Sequence, residues 1–485
     1  MFVGIDLGTS SVKSVLLDNK SHIVATATAP LEVQRPAPGF SEQDAETWWQ
    51  ATLTTFDDLA HQAPKQMAAV AGIGLSGQMH GATLLDKDGK VLRPCILWND
   101  VRSSEECRHL EQRLPELGRI TGNPAMPGFT APKLMWVKKH EPEIFARVAK
   151  VLLPKAYLRF RLTGEYFEDM SDASGTLWLD VGKRRWSDQA LAATEMTRDQ
   201  MPGLVEGSQP AGALRAELAR RWGMSRPPIV AGGAGDNAAG AVALGAISPG
   251  DAFVSLGTSG VLWATTAGFA PNPTAAVHAF CHCVPDTWHQ MGVILSAASC
   301  LSWLSGIVGM PEVELLRERG EMLERPSSVL FLPYLSGERT PHNDADIRGA
   351  FAGLSHQTDR KDLTQAVMEG VAFALKDCLD ALRDAGTNLS AADAIGGGSR
   401  SGLWLQIIAN VLDLPIHRLA DSEVSGAMGA ALLGRMAATG EEPRAVCKPP
   451  RRSETIEPTR IMRDAYAEAF ARYRRLYPGI KEATR

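Results

Sequence analysis

The sequence predicts an α/β protein built from two related domains that face each other across a deep cleft. Three observations carry this expectation. The 485 residues exceed the usual single-domain size of about 100–200 residues. Strand-like apolar runs alternate with stretches of helical spacing along the chain, the pattern of sheets covered by helices. The tetrapeptide Leu-Gly-Thr-Ser occurs twice, at 7–10 and 256–259, 249 residues apart and both times between strand-like runs, as a duplicated unit would place it.

In chain order, residues 2–5 form an apolar strand, Gly8-Thr9-Ser10 its turn, 12–17 the return strand and 22–29 a third. Residues 44–61 have helical spacing, with Ser41 and Asp44 in a capping-box-like arrangement ahead of them. Strands follow at 70–75 and 82–85, and later at 228–230 ahead of a helix. The turn Ile247-Ser248-Pro249-Gly250 divides the halves. The expected domains are therefore 1–245, 246–440 and a C-terminal segment, 441–485. In the second half, 251–256 and 261–265 repeat the opening hairpin. Residues 362–383 form a long amphipathic helix with Leu363, Val367, Val371 and Leu375 on one face. A strand ends at Ile395 before Gly396-Gly397-Gly398, and helices follow at 404–412 and 427–436. Residues 439–458, rich in Pro, Arg and Glu, are expected as a surface crossing before a final helix.

Composition narrows the classes. Hydrophobic residues at 45% and charged residues at 22% describe an ordinary globular chain, not a disordered one. A net charge of -5 argues against a general nucleic-acid binder. Seven scattered cysteines fit reduced thiols and a cytoplasmic setting better than a disulfide scaffold. The start Met1-Phe2-Val3-Gly4-Ile5-Asp6 lacks a basic leader, and no apolar run reaches the roughly 18 residues of a membrane helix.

The candidate chemistry sits in the loops. Gly8-Thr9-Ser10 and Gly257-Thr258-Ser259 each offer backbone N–H groups and hydroxyls in a concave turn, which suits phosphate. Gly396-Gly397-Gly398-Ser399, at a strand end opening a helix, adds a third anion-friendly element. No G-x-x-x-x-G-K-[ST] occurs, so a P-loop is excluded. Asp6 ends the first strand beside the turn. It either coordinates Mg²⁺, through water, or braces its own turn. Asp236 either caps the helix that follows or acts as general base on a substrate hydroxyl. Met79-His80 and Trp98-Asn99-Asp100 form polar, ring-bearing loops that suit a polyhydroxylated ligand. His278, Cys281, His282, Cys283 and His289 match no paired zinc spacing.

These residues together resemble the FGGY carbohydrate kinases, within the superfamily of actin, hexokinase and the heat-shock ATPases. The two Leu-Gly-Thr-Ser turns look like that superfamily's phosphate loops. The stretches Gly128 to Trp136 and Gly349 to Leu354, with 362–369 after the latter, are similar to the family's two signatures. The loops at 77–81, 97–100, 171–176 and 335–341 resemble its xylulose-phosphorylating branch. The resemblance runs from residue 1 to about 435 and implies two ribonuclease-H-like domains with sugar and MgATP between them. Carried over residue by residue, it implies Asp236 as base, Asp6 as the metal-associated acid, and Met79, His80 and Asn237 as sugar contacts. Thr9, Ser10, Thr258 and Ser259 would hold phosphates, and Gly397 and Gly398 would approach the adenosine. Lys13 is matched in the second loop by Leu262, so only one loop offers a lysine. The implied substrates are D-xylulose and ATP, with Mg²⁺; a homodimer is the expected assembly. Other sugars and polyols of the family, or an ATP-driven binding protein on the same nucleotide core, are the competing readings.

Overall fold

The computed structural model describes residues 1–420 and 425–484. Strand β1 (Phe2–Leu7), β2 (Ser11–Leu17) and β3 (Ile23–Pro30) form an antiparallel meander. Strand β4 (Gly72–Gly77) then lies parallel to β1, reached through helix α1 (Ala45–Gln62). Strands β5 (Pro210–Ala213), β6 (Ile229–Ala231) and the short β7 (Ala234–Gly235) complete this sheet, in the order β5-β6-β4-β1-β2-β3 with β7 also on β4. Helix α2 (Asp236–Ala243) leads out of the first half.

The second half repeats the plan. Strands β8 (Ala252–Leu256), β9 (Gly260–Thr266), β10 (His278–Cys281) and β11 (Trp288–Ile294) are followed by helix α3 (Arg360–Asp384) and β12 (Ala392–Ile395). Helix α4 (Gly402–Leu412), β13 (Ile416–Leu419), helix α5 (Gly426–Thr439) and β14 (Arg452–Ile456) close the chain's architecture. The sheet order is β10-β11-β9-β8-β12-β13-β14. Antiparallel meander, parallel strands and antiparallel edge recur in the same order across both sheets, with one extra strand, β10, in the second, so the duplicated tetrapeptide marks a duplicated topology.

Two local expectations are corrected. Ser41 is not part of a capping box: Asp44 is itself the N-cap of α1 and accepts the Glu46 N–H, while the Ser41 N–H goes to Asp100. Residues 439–458 are not merely a crossing. They supply β14, which pairs with β13, and two helices follow rather than one, Arg463–Tyr473 and Leu476–Ala483.

Helix α5 belongs to the second half by sequence but packs on the first sheet. It comes so close that a Cβ on Gly4 would lie 1.8 Å from the Ala427 carbonyl oxygen, and one on Gly74 1.8 Å from that of Ala430. Only glycine on β1 and β4 permits that approach. Gly429 of α5 lies equally tightly against Ala239 of α2. One buried cluster therefore runs through both halves, joining Ala239 and Val242 to Trp263 and Ala431. The remaining apolar core divides into one cluster on each side.

Candidate active site

The carboxyl ends of β1, β4 and β7 lie side by side. Asp6 of β1 pairs with Ser76 of β4, and Gly235 of β7 pairs with Gly77. This register sets Asp6 and Asp236 at one rim, where ligands of such sheets bind. Gly235 occupies the helix cap position and Asp236 is the first residue of α2, so the capping reading of Asp236 does not hold. Its Oδ1 accepts the Asn237 backbone N–H at 2.7 Å and the Asn237 side-chain amide at 3.0 Å. Its Oδ2 makes no hydrogen bond among the described residues. The side chain keeps an open surface toward the cleft, yet protein confines it on its other sides. That confinement, partly offset by the Asn237 N–H and reinforced by Asp6, pushes its carboxyl up to about 6. A carboxylate with one oxygen held and one open, ionising near neutrality, is suited to accept a proton.

Asp6 accepts a hydrogen bond from Ser76 Oγ at 2.9 Å. Burial raises its carboxyl above the usual range, while Ser76 and Lys13 pull the other way. Lys13 stands directly opposite Asp6 across the β1–β2 ladder, on the same face. A Cβ on Gly426, at the start of α5, would lie 2.9 Å from Asp6 Oδ1. The amino end of α5 therefore faces this acid, and its dipole favours negative charge there. In the neighbouring turn the Thr9 hydroxyl donates to Gln78 Oε1 at 3.2 Å and accepts from Trp98 Nε1 at 3.0 Å, and Ser10 is exposed. Thr9 thus ties the 8–10 turn to the polar loops.

Those loops form the rest of this first group. His80 has φ of 68°, a left-handed conformation uncommon outside glycine. It is held there because its carbonyl accepts from Lys133 Nζ at 2.8 Å and Thr130 Oγ1 at 3.1 Å. Both donors come from the stretch 128–136, which gives that stretch a physical role. Burial pulls the Lys133 ammonium down to about 7. The His80 ring sets Nδ1 2.8 Å from the Gly175 carbonyl, and burial lowers its pKa to about 3. The ring is therefore neutral, donates through Nδ1 and leaves Nε2 as an acceptor. Met79 fills the space that side chains at Gly235 and Gly175 would need. Phe129 packs on the His80 ring at 4.5 Å between centroids. Trp98 is 46% exposed, an indole offered to the cleft. Asn99 Oδ1 is buried with no partner. Asp100 differs: its carboxylate takes Arg102 and the Ser41 N–H and is buried, so it shapes the loop from within.

The second group lies at the ends of β8 and β12. Thr258 and Ser259 are exposed at their turn, whose carbonyls accept the Ala297 and Ala298 N–H groups. A Cβ on Gly396 would lie 2.7 Å from the Leu256 carbonyl oxygen, so the triple-glycine turn rests directly on the Gly257 turn. Ser399 is buried and turns its hydroxyl back to the Gly396 carbonyl. Gly397 and Gly398 open on a cavity of about 710 Å³, also lined by Leu301, Val313, Leu316 and Arg317. That is the volume of a site for a small organic cofactor. Among the described residues no hydrogen bond or ion pair joins the two groups. Besides α5, the halves meet through β10, where His278 bonds Asn123 at 2.8 Å and receives Arg339 at 3.2 Å. Arg339 thus approaches the His80 loop from the second half. Thr340 bonds Val293 and Ala276 and anchors that segment.

Sequence reasoning missed Ser76 and Gln78, which position Asp6 and Thr9, and the apolar wall of the 710 Å³ cavity. It also missed a fully buried ionic group behind Asp236. There Lys155 Nζ lies 2.8 Å from Glu168, 2.7 Å from Asp169 and 3.5 Å from Asp172. These three acids are the one carboxylate cluster of metal-binding size among the described residues, and Lys155 occupies it.

Comparison with known proteins follows the same division. Residues 1–243 match the N-terminal domain of the FGGY family of carbohydrate kinases, and residues 252–438 match its C-terminal domain. The xylulose kinase of Escherichia coli (strain K12) is 51% identical over 443 residues, 91% of each chain. A crystal structure of a xyloylose kinase from Brucella ovis superposes with a TM-score of 0.97 at 57% identity, covering 99% of both chains. The xylulose kinase of Rhodospirillum rubrum gives 0.93 at 27% identity, covering 100% of this chain and 99% of its own.

Proposed function

The chain belongs to the FGGY family of carbohydrate kinases, and from that premise we propose that it transfers the γ-phosphoryl group of ATP to the terminal hydroxyl of D-xylulose. The observation that carries this reading is Asp236, one oxygen fixed by Asn237 and the other open, beside Met79 and His80. The three kinase relatives above each match at least 91% of the chain, which supports the choice of sugar.

The 5-hydroxyl oxygen attacks the γ-phosphorus in line. The new O–P bond forms as the bond to the bridging oxygen breaks, and ADP leaves with that electron pair. Asp236 Oδ2 takes the hydroxyl proton, a contribution of about 10²–10⁴-fold in rate. Phosphoryl transfer otherwise asks for positioning and charge stabilisation. Neutral His80 accepts a sugar hydroxyl at Nε2, Asn99 and Asn237 supply amide contacts, and Trp98 covers the C–H face of the sugar. The turns at 8–10 and 257–259 present N–H donors to the phosphates, and Gly397 and Gly398 admit the adenosine to the adjoining cavity.

The residues fit a divalent cation. Asp6 is a confined carboxylate with one oxygen bonded to Ser76 and a net need for positive charge that Lys13 only partly meets. Asp6 would hold Mg²⁺ through water, which Mg²⁺ favours. When bound, the ion neutralises charge on the nucleotide phosphates. The test is ADP release over a panel of pentuloses, hexonates and polyols. The highest kcat/KM with D-xylulose is expected; a higher value with another member of the panel overturns the assignment of the sugar.

A further inference from the structure

Behind the loop that carries Asp236 lies a relay of buried polar side chains that the reaction itself does not touch. The Gly235 N–H, in the Ala234–Gly235 peptide one residue before Asp236, donates to Ser171 Oγ at 3.1 Å. Ser171 Oγ in turn donates to Asp169 Oδ1. That same oxygen accepts the N–H groups of Ser171 and Asp172, because Asp169 caps the short helix Met170–Ser174. Asp169 is paired through its other oxygen with Lys155 Nζ at 2.7 Å. Arg159, beside Lys155, donates to the carbonyls of Gly232 and Phe167, so it grips the start of the same loop. Ser171, Asp169, Lys155 and Arg159 are all fully buried. Burial works against the charge on Lys155, but Asp169 and Glu168 more than offset it and hold the ammonium above its ordinary value. Burial of this many ionic groups is a poor route to stability in itself. It does produce a rigid, directional support, since each member is fixed by the next.

On the reading of Asp236 as the base, we infer that Ser171, backed by Asp169 and Lys155, is a positioning residue. It fixes the Gly235 peptide so that Asp236 Oδ2 stands in line with the attacking hydroxyl. The Gly232 and Gly233 N–H groups hold the start of the loop on the Gln209 and Gly207 carbonyls and β7 holds its end on β4, so Ser171 is the side chain that reaches the Gly235 N–H beside Asp236, next to a glycine, Gly233, with φ of 80°. Proton abstraction is sensitive to misplacement, with about 1 Å worth up to 10²-fold.

The test is single-turnover phosphorylation of D-xylulose by the full chain, in four proteins: native, Ser171→Ala, Asp236→Asn and the double variant. Ser171→Ala is expected to lower the rate about tenfold with the dissociation constant for ADP changed less than twofold, and Ser171→Thr, which keeps the hydroxyl, to restore most of it. In the Asp236→Asn background the same change is expected to cost less than twofold, since there is no carboxylate left to position. A full tenfold loss in that background, an unchanged rate in Ser171→Ala, or a weakened ADP affinity with the rate intact would each overturn the inference. Asp169→Asn, which retains the side-chain volume, repeats the measurement should Ser171→Ala fold poorly. Full turnover in Asp236→Asn alone would instead remove the base assignment, so the two ideas fail separately.

Discussion

The pH dependence of kcat/KM for D-xylulose should show an acidic limb that belongs to Asp236. Its carboxyl ionises at about 6. The active form is the carboxylate, so activity is present above that value and lost below it. The ionised fraction is about 90% at pH 7, about half at pH 6 and about 10% at pH 5. From pH 7 to pH 5, kcat/KM should therefore fall roughly tenfold. Replacing Asn237 by Ala removes the side-chain amide that donates to Oδ1 at 3.0 Å and favours the charged form, while the backbone N–H remains. A hydrogen bond to a charged group contributes about 1.5–3 kcal/mol when buried, and one pH unit corresponds to about 1.4 kcal/mol. With the cleft face open to water, which partly replaces the amide, the limb should move up by roughly half to one unit. The assay is ADP release coupled to NADH oxidation at low sugar, from pH 4.5 to 8.5, with saturating nucleotide. Ionisation of ATP is common to both proteins, so the displacement between the two limbs isolates the carboxyl. Coincident limbs in native and Asn237→Ala protein, or a native limb below pH 5, would refute the reasoning.

Three further outcomes follow from the packing. A Cβ at Gly397 meets nothing within 4 Å, so Gly397→Val should fold normally but intrude on the nucleotide cavity. ADP affinity measured by calorimetry should fall at least about tenfold while sugar affinity holds; equal ADP affinity would place the nucleotide elsewhere. Gly74→Ala puts a Cβ 1.8 Å from the Ala430 carbonyl oxygen, and overpacking of this kind costs about 1–3 kcal/mol or more. Chemical denaturation should show that loss, and native-like stability would contradict the close approach of α5. Lys155→Met leaves three buried carboxylates without their shared cation, and breaking such a group costs about 3–5 kcal/mol. A thermal unfolding midpoint within a degree of native would contradict the pairing.

Much of this was legible in the sequence because it is local. Strand, glycine turn and strand follow one another in the chain, so Gly8-Thr9-Ser10 and Gly257-Thr258-Ser259 announce themselves, and their equal spacing announces the duplication. Asp6 and Asp236 are legible for the same reason: one lies a residue before the end of β1 and the other directly after β7, each within two residues of a glycine. The residues that were not legible act at long range. Lys155 and Asp169 carry no local motif, and only the folding of 154–172 beneath β4 buries them together. Asp100 has the right residue type in the right loop, but Arg102 two residues on consumes its carboxylate, which spacing alone does not reveal. The 452–456 strand was hidden by its composition: Arg452, Ser453, Glu454 and Thr455 form an exposed edge, where polar residues are the rule.

The glycine-floored trough on β1 and β4 has a bearing on how the molecule is made. Its filler, α5 (starting at Gly426), leaves the ribosome long after β4 (ending at Gly77). Until then the first sheet exposes a groove of bare backbone that nothing nearby in the chain is shaped to fill. The N-terminal half is thus an incomplete unit during synthesis, and a fragment ending at the midpoint would lack a wall of its own core. The last third of translation supplies the piece that closes the first, which binds the two halves into a single assembly step.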